Sequence, residues 1–218
     1  MDAMPICGRT GLDGAASFLG MWSVMMAAMM LPSLLPTLWR YRQTLGCQML
    51  DGQTLDNLPA GRPDLLTALV GAGYLAVWIA SGLIVLPLDA AVTAIESDGP
   101  LVPGAIVVMA GMFQFTAWKT RTLTGCREMP TRDRLVPANA VTAWRHGVRL
   151  GVHCVCSCAG LTAVLLVVGL MDLRAMLLVT AAVTLERLAP NGPRTAQALG
   201  IVIVAIGLLL GARGIALA

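Results

Sequence analysis

Five residues able to bind a metal or exchange electrons crowd one segment, WRHGVRLGVHCVCSCAG: His146, His153, Cys154, Cys156 and Cys158. On a helix, side chains four apart share a face about 6 Å from one another, so Cys154 and Cys158 are neighbours. Cys156 points about 200° away from Cys154. Two soft sulfurs on one face, with imidazoles nearby, suit copper(I) or zinc, or thiol redox chemistry. The same residues also serve as small-residue packing. Further groups extend the set. Cys126 stands beside Arg127, whose charge favours the thiolate. Met25 and Met29 lie on one stripe with Met21; thioethers favour copper(I), and they are equally common core filler. Gln114, Lys119 and Glu186 would give polar support. Glu186 is the carboxylate expected within the membrane, where it needs a partner such as Arg187, Arg149 or Lys119.

The elements carrying these groups read as membrane spans. Of 218 residues, 57% are hydrophobic and 12% charged, against about 25% charged in soluble domains, and mean hydropathy is +0.76. Uncharged runs cover 14–39, 65–88, 99–118, 150–171 and 195–212, with a shorter one at 175–185 between Arg174 and Glu186. Crossing roughly 30 Å of hydrocarbon takes about 20 residues. The expected fold is therefore an all-α polytopic membrane helix bundle of about six transmembrane helices. They fall near 17–38, 64–88, 100–118, 147–170, 173–188 and 195–212, in a single membrane domain over 1–218. The first run is too long for the core of a cleaved signal peptide, which predicts a retained helix. With the N-terminus outside, only Arg9, Arg174 and Arg213 of the 15 Lys and Arg lie on the outer side. That asymmetry predicts both termini outside a bacterial cytoplasmic (inner) membrane. The net charge of +3 is then a topological signal, and no nucleic-acid partner is expected.

Other stretches are read more plainly. Pro32 and Pro36 each remove a helical amide and predict a kink just below the methionines. Residues 40–63 read as a polar inner loop and 89–100 as an outer loop. The segment GAGYLAVWIASG in the second span offers small residues for close packing and no chemistry. Cys7 and Cys47 stand alone. A rise of 1.5 Å per residue places Cys154 about 10 Å and Cys158 about 16 Å above the inner membrane edge. Met29 and Glu186 come out near 12 Å, with Met112 and Gln114 at about 10–14 Å.

The stretches MWSVMMAAMMLPSLLP, FQFTAWKTRTLTGCR, WRHGVRLGVHCVCSC and LERLAPNG, in this order over roughly residues 20–206, resemble a bacterial family. It is one of predicted metal-binding integral membrane proteins whose domain has no assigned function. Its C-x-x-C-C pattern is matched by Cys154 and Cys158, with Ser157 in place of the middle cysteine and Cys156 as an addition. The family often shows a second cysteine before Cys126, where Thr122 stands here. The resemblance implies metal binding within the membrane.

Three functions compete. In the first, Cys154 and Cys158 bind a soft metal ion, most plausibly copper(I), with zinc as the other choice. Cys126, His153, Met25 and Met29 are then further ligands, and the partners are the lipid bilayer and a metal-delivery protein or larger membrane complex. In the second, the chain is a structural or assembly subunit of such a complex. In the third it is a membrane thiol oxidoreductase, against which stand the absence of C-x-x-C and the strain of an i, i+4 disulfide on a regular helix. No Ser/His/Asp grouping, phosphate-binding Gly loop or H-x-x-x-H is present, so no catalytic residue is assigned.

Overall fold

The computed structural model describes residues 11–50, 62–96, 99, 101–127, 139–170 and 172–217. It is all-helical. Among these residues seven helices follow one another: α1 Gly11–Leu50, α2 Arg62–Glu96, α3 Val102–Phe113, α4 Ala117–Arg127, α5 Ala140–Val168, α6 Leu173–Leu188 and α7 Gly192–Leu217. Four, namely α1, α2, α5 and α7, are long and apolar enough to cross a membrane. The sequence predicts six. The difference arises because α3, in the third apolar run, has only 12 residues, α4 starts at the end of that run and continues through charged residues to Arg127, and α6 has only 16.

No Gly or Pro marks the division between α3 and α4. The amides of Gln114, Phe115 and Thr116 bond to carbonyls three residues back, each at 3.1 Å, which tightens the last turn of α3. Thr116 then caps α4. Its hydroxyl accepts the Lys119 amide at 3.2 Å and donates to the Phe113 carbonyl at 2.7 Å, an alternative to the regular helical ladder.

Elsewhere the helices outrun the apolar stretches. α1 has 40 residues, about 60 Å of helix, and continues through Arg40 and Arg42 where the sequence reads as a loop. Tertiary packing explains this. Tyr41 and Leu45 are buried against Leu66 and Val70 of α2 and Ala143 of α5. The exposed Arg42–Asp64 pair at 2.7 Å adds little beside that burial. α2 likewise runs past Pro87 and Asp89 to Glu96. α5 begins at Ala140, where Asn139 accepts the Val141 amide at 3.2 Å. After α5, Gly169 turns the chain with φ +109° and Asp172 caps α6, accepting the amides of Arg174 and Ala175.

The α2–α5 pair packs along a seam of glycines. A methyl group on Gly73 would lie 2.7 Å from the Trp144 carbonyl oxygen, and one on Gly147 would overlap the Val70 carbonyl. Backbones this close gain many van der Waals contacts. The seam also faces Tyr74 toward the cysteines of α5. Above it the main core gathers Trp22, Met25, Met26, Met29 and Met30 of α1, Tyr74 and Trp78 of α2, Cys154 and Cys158 of α5, and Val179 and Val183 of α6. The indole N–H of Trp22 donates to the Trp78 carbonyl at 3.0 Å, which pins α1 to α2.

Candidate metal centre

Cys154 and Cys158 both point into the bundle, at 0% and 2% exposure. Their sulfurs lie 3.9 Å apart, as i, i+4 placement on α5 requires. Cys156, on another face, is only half-buried. Two groups from other helices reach Cys154. The Tyr74 hydroxyl of α2 is 3.0 Å from its sulfur, and the Met30 thioether of α1 is 4.0 Å from it. Both residues are fully buried. Soft atoms from two helices and a phenol from a third thus meet at one point.

A polar chain runs on from this point. Ser157 sits one residue before Cys158; its hydroxyl donates to the Cys154 carbonyl at 2.9 Å and lies 3.9 Å from the Cys158 sulfur. Its carbonyl accepts the ammonium of Lys119 on α4. Lys119 in turn pairs with Glu186 of α6 at 2.7 Å, both side chains almost wholly buried. Of the cations the sequence offers Glu186, Lys119 is therefore the ion-pair partner. The next residue, Arg187, donates to Ser33 of α1 at 3.2 Å, and Ser33 donates to the Met30 carbonyl at 3.0 Å. The chain closes on α1, beside the sulfur where it began. Buried charges are retained when paired and hydrogen-bonded; the Lys119–Glu186 pair meets that condition, and the chain of contacts ties α1, α4, α5 and α6 together. Gln114, 1% exposed at the α3–α4 break, packs over Gly200 of α7 and faces Glu186, short of hydrogen-bond geometry.

The other predicted ligands are placed as follows among the described residues. Met25 and Met29 are buried in the same core, but the methionine that meets Cys154 is Met30. His153 is half-buried and turned to α4, where its ring packs on the backbone at Gly125. His146 stacks on Tyr41, ring centroids 5.7 Å apart, two turns before the cysteines. Cys126 belongs to α4, and its side chain is outside the described residues, as is all of Cys7. Cys47 is exposed on α1. Among the described residues no three His, Cys, Asp or Glu side chains form a metal-binding group. Tyr74 was assigned only packing by the sequence. Its signal was the polar tip of an aromatic in an apolar run, since a buried phenol needs a partner.

Residues 19–210 match PpoB2, a family of copper chaperones. The chain belongs to that family. No curated protein and no solved structure matches it. For a PpoB2-family chain the donor set at Cys154 has the right chemistry: two thiols and a thioether are soft ligands of the kind copper(I) prefers. The match spans every residue of the polar ring, from Ser33 to Arg187.

Proposed function

We propose that this chain is an integral membrane copper(I)-handling protein that carries its cargo ion between Cys154 and Cys158, with the Met30 thioether as third ligand. The observation that carries this reading is the meeting of three buried sulfurs from α1 and α5. At a metal–sulfur distance of about 2.3 Å, sulfurs spaced 3.9 and 4.0 Å subtend roughly 115–120° at a shared ion. That spacing suits a three-coordinate soft cation and is too short for a linear pair. Zinc would want four ligands, and the thioether is a poor choice for it.

The protein's own groups then have distinct parts. Cys154 and Cys158 hold the ion as thiolates, having released their protons. Met30 adds a neutral donor. The Lys119–Glu186 pair fixes the Ser157 carbonyl, and so the turn of α5 that carries both cysteines. Met25, Met29, Cys126 and His153 are proposed as stations through which the ion approaches or leaves.

The outer surface supports a membrane setting: Val24, Ile84, Leu178 and Leu209 are all more than half exposed. Apolar faces of this extent belong in lipid. We take α3 and α4 as one broken passage and α6 as a short one, which makes six crossings with the termini outside. Non-helical backbone at membrane depth is tolerated where protein covers it; within the break Gln114 is buried against Gly200, while Phe115 and Thr116 are exposed.

The test is copper content. The full chain, purified in detergent and loaded with copper(I) under reductant, is expected to hold a single ion, lost in Cys154→Ser and in Cys158→Ser. Equal, negligible copper in all three proteins would overturn the proposal.

A further inference from the structure

We infer that Tyr74 is the positioning residue that retains the ion, by donating its phenolic hydrogen to the Cys154 sulfur. This rests on the copper reading above and deepens it.

The geometry leaves Tyr74 little else to do. It is 0% exposed, and its hydroxyl lies 3.0 Å from the Cys154 sulfur, short for a contact to sulfur. Without metal, either group can be the donor. A metal-bound thiolate carries no proton, so there the phenol must be the donor. The same contact is thus symmetric in the empty protein and one-directional in the loaded one. Donation into the sulfur satisfies a charge held away from water and holds the side chain in the rotamer that faces Met30 and Cys158. The phenol is itself held: Gly73 and Gly147 let α2 lie against α5 closely enough for the hydroxyl to reach. Groups that hydrogen-bond to metal ligands typically alter metal affinity by about 10–100-fold when removed.

Among the described residues Cys158 has no such aromatic donor; its neighbouring hydroxyl is that of Ser157 at 3.9 Å, already given to the Cys154 carbonyl. The two thiolates are therefore unequal. Cys154 is the anchored ligand, and Cys158 is the one that lets go first when copper passes to an acceptor.

The experiment compares wild type and Tyr74→Phe, as full chains in detergent loaded with copper(I). Release to a copper(I)-specific chelator and the copper–thiolate absorption band are the readouts. Tyr74→Phe is expected to load normally, release about tenfold faster and show a shifted band. Unchanged release and an unchanged band would overturn the inference while leaving copper binding standing. Failure of the wild type to load would instead sink the copper reading itself.

Should Tyr74→Phe not fold, the chain offers a second route, because its only two tyrosines are Tyr41 and Tyr74. Biosynthetic 3-fluorotyrosine in a Tyr41→Phe chain labels position 74 alone and makes it a stronger donor. Slower copper release and a fluorine resonance that moves on loading are expected. A resonance indifferent to copper would overturn the inference, since a phenol that merely fills space has no reason to sense the ion.

Discussion

The thioether of Met30 lies 4.0 Å from the thiol of Cys154, although 124 residues separate them in the chain. The contact joins α1 to α5 inside the core and makes Met30 the methionine with the most to lose. Met30→Leu keeps the volume and the apolar character, so stability should fall by less than about 1.5 kcal/mol. Copper retention should fall about tenfold or more, the scale seen when a metal site loses a supporting group. Met25→Leu and Met29→Leu are expected to have smaller effects in the same chelator competition. Equal losses in all three would point to a ladder of methionines in place of one ligand.

The buried Lys119–Glu186 pair makes a different prediction. Removing one partner strands the other charge, at a cost of about 3–5 kcal/mol. Lys119→Met alone should therefore unfold at much lower denaturant or temperature. The double variant Lys119→Met with Glu186→Leu should recover most of that loss, because two well-packed apolar groups replace a pair already expensive to desolvate. Simple additivity of the two single changes would show that the pair is not coupled.

Two glycines in the long helices should respond in opposite directions. Gly147 faces the Val70 carbonyl with no room for a methyl group, whereas Gly46 has open space around it. Gly147→Ala should cost about 1–3 kcal/mol through overpacking and, by pushing α2 off α5, should speed copper release. Gly46→Ala should be neutral or stabilising by up to about 1 kcal/mol, the helix propensity difference. Unfolding curves and chelator release on both variants check this.

Ser157 tests the ligand count directly. Its hydroxyl is 3.9 Å from the Cys158 sulfur, so Ser157→Cys brings a third thiol beside the pair. Copper should be held more tightly, read as slower transfer to the chelator. No change in transfer would mean that the new thiol keeps the carbonyl bond of the serine it replaces.

Membrane orientation can be read from Cys47, the exposed thiol on α1. In a chain retaining only that cysteine, a membrane-impermeant maleimide should label inverted vesicles and spare intact cells. The reverse pattern would turn the proposed topology over.

Much of this architecture is local, and local features are legible in a linear chain. Uncharged runs of membrane length declare α1, α2, α5 and α7 as apolar helices, because period and composition need no partner to be read. The i, i+4 spacing of Cys154 and Cys158 fixes their common face for the same reason. Mutual neighbours across helices are another matter. The sequence could offer Lys119, Arg149 and Arg187 to Glu186, but only the packing of α4 against α5 brings Lys119 to it. The sequence singles out Met25 and Met29, on the stripe with Met21, but the rotation of α1 brings Met30 to Cys154. Thr116 ends α3 by a capping hydroxyl that no apolar pattern reveals, and α1 continues to Leu50 because Tyr41 and Leu45 find a core on other helices. Tyr74 reads as packing until the glycine seam places α2 against α5. Chain composition determined where the long apolar helices lie; the angles and rotations at which they pack decided where helices end and which atoms meet, since those depend on contacts between residues far apart in the chain.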